Sequence, residues 1–306
     1  MENNKKELIN WAIDEFSNNL EIYEQKWNYF SSQPYYDYKI LINIDDKYFE
    51  GRGVDTSQDK ALSASVGEAL ERYALDNNNL KSSNGCAFHI TLEESKLKAQ
   101  KELLERHYVM LFTLGYWDQK MIKTNLPTQV LKIIKELQKI KIEINFYELF
   151  SDQNNIVVLC EGNGLASQEK FGLIYGASCD KSIERCIEKS FKEALVNIMA
   201  ALSKKIVSIT IDEFNDIPYP TPIDHLHLYI NTSFAQDYLS KRHIISSTPP
   251  APCDSLYRFT ELPHKYDYFF SVVKATHPQC IDAKWGKLGP VCNLKNHNIN
   301  YPFLLP

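Results

Sequence analysis

Two short segments carry residue types that could do chemistry together. Glu68-Ala-Leu-Glu71-Arg72 and Glu102-Leu-Leu-Glu105-Arg106 share the pattern Glu-x-x-Glu-Arg, 34 residues apart. Residues three apart on a helix lie on one face, so each segment would present two carboxylates side by side with an arginine at their flank. Mg2+ is held by one or two carboxylates and completes its shell with phosphate oxygens and water. Arginine grips phosphate through two parallel N–H donors. The same pattern also decorates ordinary salt-bridged helix surfaces, and its recurrence is what sets it apart here. A 34-residue spacing raises a tetratricopeptide array, but the Trp, Gly, Tyr and Pro positions of that repeat are missing and no third copy follows.

The surrounding elements must position these groups. Gly51-Arg52-Gly53 reads as a turn opening the first carboxylate helix. Ala61, Ser63, Ala64, Ser65 and Gly67 make that helix thin enough for something bulky to pack close. Upstream, apolar residues at helical spacing over 5–30 predict one long amphipathic helix within an N-terminal segment 1–35. Residues 35–49, aromatic and β-branched, predict a strand or hairpin. A short strand is expected at 86–90. Thr91 and Glu94 then form a capping box that opens the second carboxylate helix, which runs to about 114. A helix over 128–139 and strands at 140–146, 156–162 and 171–176 follow. The next helix, 182–203, has small residues at Ser178, Ser182, Cys186, Ser190 and Ala194, with Glu193 among them. Strands are expected at 206–211 and 266–276. Asp224 and His225 are read as structural, capping the helix after a proline-containing loop. Alternating strands and helices indicate α/β or α+β layers. No linker stands out, so 1–306 is expected to be a single domain ending in a proline-containing tail, 295–306.

Composition removes several classes of function. The formal charge of −5 over 306 residues gives no nucleic-acid footprint. No apolar run is long enough to span a membrane, and the first residues lack a signal-peptide core. Seven cysteines without a Cys-x-x-Cys pair argue against a disulfide framework and a zinc site, and for the reducing cytoplasm. There is no Walker loop, no Gly-x-Gly-x-x-Gly after a strand and no Gly-x-Ser-x-Gly elbow.

The order of the pieces resembles the YcaO family. The Gly-Arg-Gly element followed by a Glu-x-x-Glu-Arg helix, residues 51–72, is similar to that family's first signature, and Glu102 to Arg106 to its second. Gly176 through Glu193, a Gly-led strand turning into a small-residue helix, is similar to its third. The tail Pro302-Phe-Leu-Leu-Pro306 is similar to the proline-rich end of cyclodehydratase members. Ala64, Ser182 and Leu304 stand where the family commonly has Ser, Asp and Pro.

The resemblance implies a fold of sheets and packed helices around an ATP/Mg2+ cleft. Glu68, Glu71 and Glu102 would ligate Mg2+. Arg52, Arg72, Glu105, Arg106 and Glu193 would join them in binding the nucleotide, and Pro302 and Pro306 would shape the place where the substrate reacts. The implied activity is ATP-dependent cyclodehydration. A Cys, Ser or Thr side chain of a ribosomal precursor peptide attacks the preceding carbonyl, phosphorylation makes the amide oxygen a leaving group, and a thiazoline or oxazoline results. The implied partners are the precursor peptide and a ThiF-like or ubiquitin-activating-like leader-binding protein. A flavin-dependent dehydrogenase would oxidise the rings, and the synthetase complex could hold the chain as a homodimer. Thioamide or amidine formation by the same activation stays open. So does a non-catalytic scaffold of the same fold.

Overall fold

The computed structural model describes residues 2–28, 34–80, 82–115, 120–168, 170–242 and 252–281. Pro302, Pro306 and the 295–306 tail lie outside these. The chain opens with α1 (Glu2–Glu15) and β1 (Leu20–Trp27). The helix expected over 5–30 therefore stops halfway. Ser17, Asn18 and Asn19 break it, and the Asn19 amide closes a turn onto the Phe16 carbonyl at 2.7 Å. Leu20, Tyr23 and Trp27 keep helical spacing, but their segment pairs along its whole length with β2 (Tyr35–Ile44). Tertiary pairing decides what periodicity alone left ambiguous.

β2 turns into β3 (Lys47–Asp55) through Asp45 and Asp46, both at positive φ, as a two-residue hairpin with strand-matching twist requires. Gly51-Arg52-Gly53 lies inside β3, paired with Ile40, Lys39 and Tyr38. It is a strand segment rather than a turn. Next come α2 (Gln58–Asn77), β4 (Cys86–His89) and α3 (Leu92–Thr113), the last opened by the Thr91–Glu94 box. β5 (Lys120–Met121), α4 (Thr128–Lys139), β6 (Glu143–Ser151), β7 (Ile156–Asn163), β8 (Leu173–Asp180) and α5 (Ile183–Leu202) follow, then α6 (Ile211–Asp216), α7 (Pro222–Tyr229) and α8 (Thr232–Lys241). Residues 206–210 make no strand. Thr210 instead caps α6 with a complete capping box, and Thr221 and Asp224 do the same for α7. β9 (Arg258–Glu261) and β10 (Ser271–Thr276) end the described elements.

Every ladder among the described residues is antiparallel, in sheets ordered β1-β2-β3, β4-β10-β9 and β5-β6-β7-β8. This makes the layers α+β. The chain forms two compact units, 1–103 with 253–279 and 104–252 with 280–306, so the division falls within α3. In the first, α1 and α2 bury Leu8, Phe16, Leu70 and Tyr73 with Ile40, Ile42, Phe270 and Val272. In the second, Phe112, Leu159, Tyr175, Phe214, Tyr229 and Tyr238 form an aromatic core.

Candidate functional site

In the first unit the small residues of α2 admit backbone. A Cβ on Gly51 would collide with the Ser65 carbonyl oxygen and lie 2.6 Å from the Ala69 nitrogen, and one on Gly53 would strike the Ala61 carbonyl and Ser65 nitrogen. Only glycine lets β3 lie against the helix this closely. The contact brings the outer edge of β3 to Glu68, whose Oε2 accepts from the Arg52 amide at 2.7 Å. Oε1 accepts from Arg72 at 2.6 Å, one turn along the helix. Glu71 accepts from the Phe88 amide of β4, while Gly67 leaves room for the Phe88 ring. Burial, and then the charges of Glu102 and Glu68, push the Glu71 carboxyl well above the ordinary carboxylate range. Glu68, Glu71 and Arg72 line a cavity of about 310 Å3 with Leu75, Asp76, Leu80, Ser82 and Ser83.

Side chains alternate across a strand. Gly51 and Gly53 face α2, so Arg52 projects from the opposite face of the sheet. Its guanidinium pairs there with Asp37, Nε to Oδ1 at 2.9 Å and a terminal nitrogen to Oδ2 at 2.7 Å. The phosphate contact expected of Arg52 is at odds with this geometry. What Arg52 gives the carboxylate face is its backbone amide. Arg72 is half-exposed and lines the cavity.

The second unit repeats the device. Gly51, Ser57, Ser65, Glu68 and Ala69 recur 125 residues later as Gly176, Ser182, Ser190, Glu193 and Ala194, whereas Gly53 gives way to Ser178. A Cβ on Gly176 would collide with the Ser190 carbonyl and lie 2.7 Å from the Ala194 nitrogen. The Ala177 amide of β8 donates to Glu193 at 3.0 Å. Ser57 and Ser182 occupy the N-cap positions of the two helices with nearly the same backbone angles. The repeat ends beyond Glu193: Val196 and Asn197 stand where the first helix has Glu71 and Arg72. In this unit α3 contributes instead. Glu105 accepts from the Cys179 amide at 3.0 Å. Burial raises the Glu105 carboxyl, against the pull of Arg106. Burial and then the neighbouring Glu105 charge push Glu193 up to about 7, again opposed by Arg106.

Among the described residues no three His, Cys, Asp or Glu side chains form a ready-made metal cage. Two carboxylates with phosphate oxygens suffice for Mg2+, and a bound cation would offset the burial and the neighbouring negative charges that raise Glu71. The residues therefore fit Mg2+ with a phosphate ligand. Sequence reasoning missed Asp37. Its signal was a lone acid within the aromatic strand Tyr35-Tyr-Asp-Tyr38.

A family model described as YcaO cyclodehydratase, ATP- and Mg2+-binding, matches residues 75–276, more than half of the chain. The chain belongs to the YcaO family. ATP and Mg2+ are this family's ligands, as the resemblance implied. The matched stretch contains Glu102, Glu105, Arg106 and Glu193 and begins just after Glu71 and Arg72.

Solved YcaO-type structures share the fold. YcaO from Methanopyrus kandleri, bound with AMPPCP and Mg2+, aligns at a TM-score of 0.61 and 10% identity, covering 94% of this chain and 95% of that one. A heterocyclase in complex with substrate and cofactor aligns at 0.61 and 12%, covering 90% of this chain and 52% of its own longer chain. The E. coli microcin synthetase McbBCD complex gives 0.58 and 12%, with coverage of 84% and 88%. No curated protein matches by sequence. The YcaO assignment thus rests on the family model, and the structural matches agree in fold.

Proposed function

We propose that this YcaO chain is an ATP-dependent cyclodehydratase acting on backbone amides of a ribosomal precursor peptide, with a leader-binding partner presenting the peptide. The observation that carries the reading is the first carboxylate group. Glu68 and Glu71 are fastened by strand amides and open, with Arg72, onto one cavity. Glu68, Glu71 and Glu102 would hold Mg2+, and Arg72 would take a phosphate oxygen. Bound ATP supplies the phosphoryl group that turns an amide oxygen into a leaving group. The chain itself needs no nucleophile. It orients and neutralises charge, as in other phosphoryl transfers. Glu105, Arg106 and Glu193 are proposed as further nucleotide-binding residues, and Pro302 and Pro306 are proposed to shape the reacting end.

Turnover with ATP, Mg2+, partner and a Cys- or Ser-containing precursor should remove one water per ring from the peptide, read by mass spectrometry. A gain of sulfur or an intramolecular amine condensation would identify thioamide or amidine chemistry instead. The scaffold alternative draws on Ala64, Ser182 and Leu304, which depart from the residues common in the family. Mg2+-dependent thermal stabilisation by ATP separates the readings, since a ligand at a hundred times its dissociation constant adds about 2.7 kcal/mol. Absence of that shift would favour the scaffold.

A further inference from the structure

Asp37 belongs to no part of the chemistry described above, yet it is almost fully buried and accepts three hydrogen bonds. The Trp27 indole N–H donates to its Oδ2 at 3.0 Å. Arg52 donates to both of its oxygens, at 2.9 and 2.7 Å. This is the two-pronged guanidinium–carboxylate geometry, which fixes orientation as well as supplying energy. Asp37 and Arg52 sit on adjacent strands, offset by two positions. Asp37 is opposite Val54, and Arg52 is opposite Lys39. The side-chain fork therefore ties the two strands together at one register.

The other end of Arg52 faces the cavity side. Its main-chain amide donates to Glu68 Oε2 at 2.7 Å, and Glu68 Oε1 meets Arg72 at 2.6 Å. A single chain of hydrogen bonds thus runs from the buried Trp27 through Asp37, Arg52 and Glu68 to Arg72. The guanidinium anchors Arg52 from one face while its amide points outward along the strand edge. A rotation of this peptide unit would move the strand amide that donates to Glu68. Gly51 and Gly53 pair with Ile40 and Tyr38 on β2, and the Asp37 fork adds a side-chain tie to that ladder at Arg52.

We infer that Asp37 is a positioning residue: through the Arg52 side chain it holds the Arg52 amide in the orientation that aims the Glu68 carboxylate at the cavity. The functional part of this inference rests on the proposed Mg2+–ATP reading, but the mechanical part does not. Two variants test it in the full-length chain. Asp37→Asn keeps the shape and removes the charge that grips Arg52. Trp27→Phe removes one donor and leaves the fork in place.

Amide hydrogen exchange reads the mechanical link directly. Asp37→Asn should speed exchange at the Arg52 amide at least tenfold, with Ala177 in the second unit unchanged and Trp27→Phe giving a smaller change in the same direction. A titration of Mg2+ at fixed ATP, followed by thermal shift, reads the functional link. Asp37→Asn should raise the Mg2+ concentration at half-maximal stabilisation severalfold, beyond what its ligand-free melting temperature accounts for. Wild-type protection of the Arg52 amide in Asp37→Asn would overturn the inference, as would an unmoved Mg2+ midpoint. If the wild-type chain shows no Mg2+–ATP shift, the proposed function fails, and the exchange arm still decides whether Asp37 positions Arg52.

Discussion

Glu105 and Glu193 hang from one strand two residues apart, the first on the Cys179 amide and the second on the Ala177 amide. Two carboxyl groups that close cannot both ionise freely once they leave water. The Glu193 carboxyl, raised to about 7, carries that conflict.

The resulting pH dependence has a definite sign. A carboxyl whose folded value is raised favours the folded state while protonated, and that contribution is lost as pH rises from the unfolded value, about 4.5, through about 7. Glu193→Gln should therefore flatten the stability profile over this window and be more stable than wild type above pH 7, by up to about 3 kcal/mol. The comparison is made on the ligand-free chain by denaturant unfolding at several pH values. Glu105, Arg106 and Lys192 are the charged neighbours that also act on this carboxyl. An Arg106→Gln variant, with less opposing positive charge, should steepen the profile.

Glu71→Gln should separate stability from ligand binding. Neutralising this carboxyl removes repulsion with Glu102 and Glu68, so the ligand-free melting temperature should rise or hold. The stabilisation by ATP with Mg2+ should disappear. Differential scanning fluorimetry with and without Mg2+ reads both effects on one sample.

The two glycine–helix contacts make a matched pair of predictions. Gly51→Ala and Gly176→Ala each place a methyl group into helix backbone that cannot yield. Each should cost about 3 kcal/mol or more, the range of severe core overpacking. Serine, no smaller than alanine, should not rescue either site. Soluble yield and unfolding midpoints measure the loss.

In the second unit Glu161 is buried among Tyr147, Tyr175 and Arg242, accepting from all three at 3.1, 3.1 and 2.7 Å. Removing one member of a buried ion pair costs about 3–5 kcal/mol, whereas replacing both by apolar residues can be nearly neutral. Arg242→Met alone should be severely destabilised. Arg242→Met with Glu161→Leu should recover a large part of the loss in chemical denaturation.

Helices α3, α4 and α5 were legible in the sequence because their signals are local. Thr91 and Glu94 start α3, the helix over Thr128–Lys139 matches its expected limits, and Ser182 caps α5 through a bond from the Arg185 amide. The carboxylate pairs were legible because helical spacing alone puts them on one face. What could not be read depended on pairing between distant segments. Nothing local says that residues 20–27 would meet 35–42, or that Arg52 would turn its side chain to Asp37 and its amide to Glu68. The Glu161–Arg242 pair, 81 residues apart, left no pattern at all.

Arg52, Phe88, Ala177 and Cys179 all lie on outer strands of their sheets, and each gives its amide to a glutamate of a neighbouring helix. An outer strand with open amides is a template on which another chain can add itself. At these positions the glutamates already occupy the outward amides. A strand adding itself at any of these positions would first have to displace the glutamate that holds the amide.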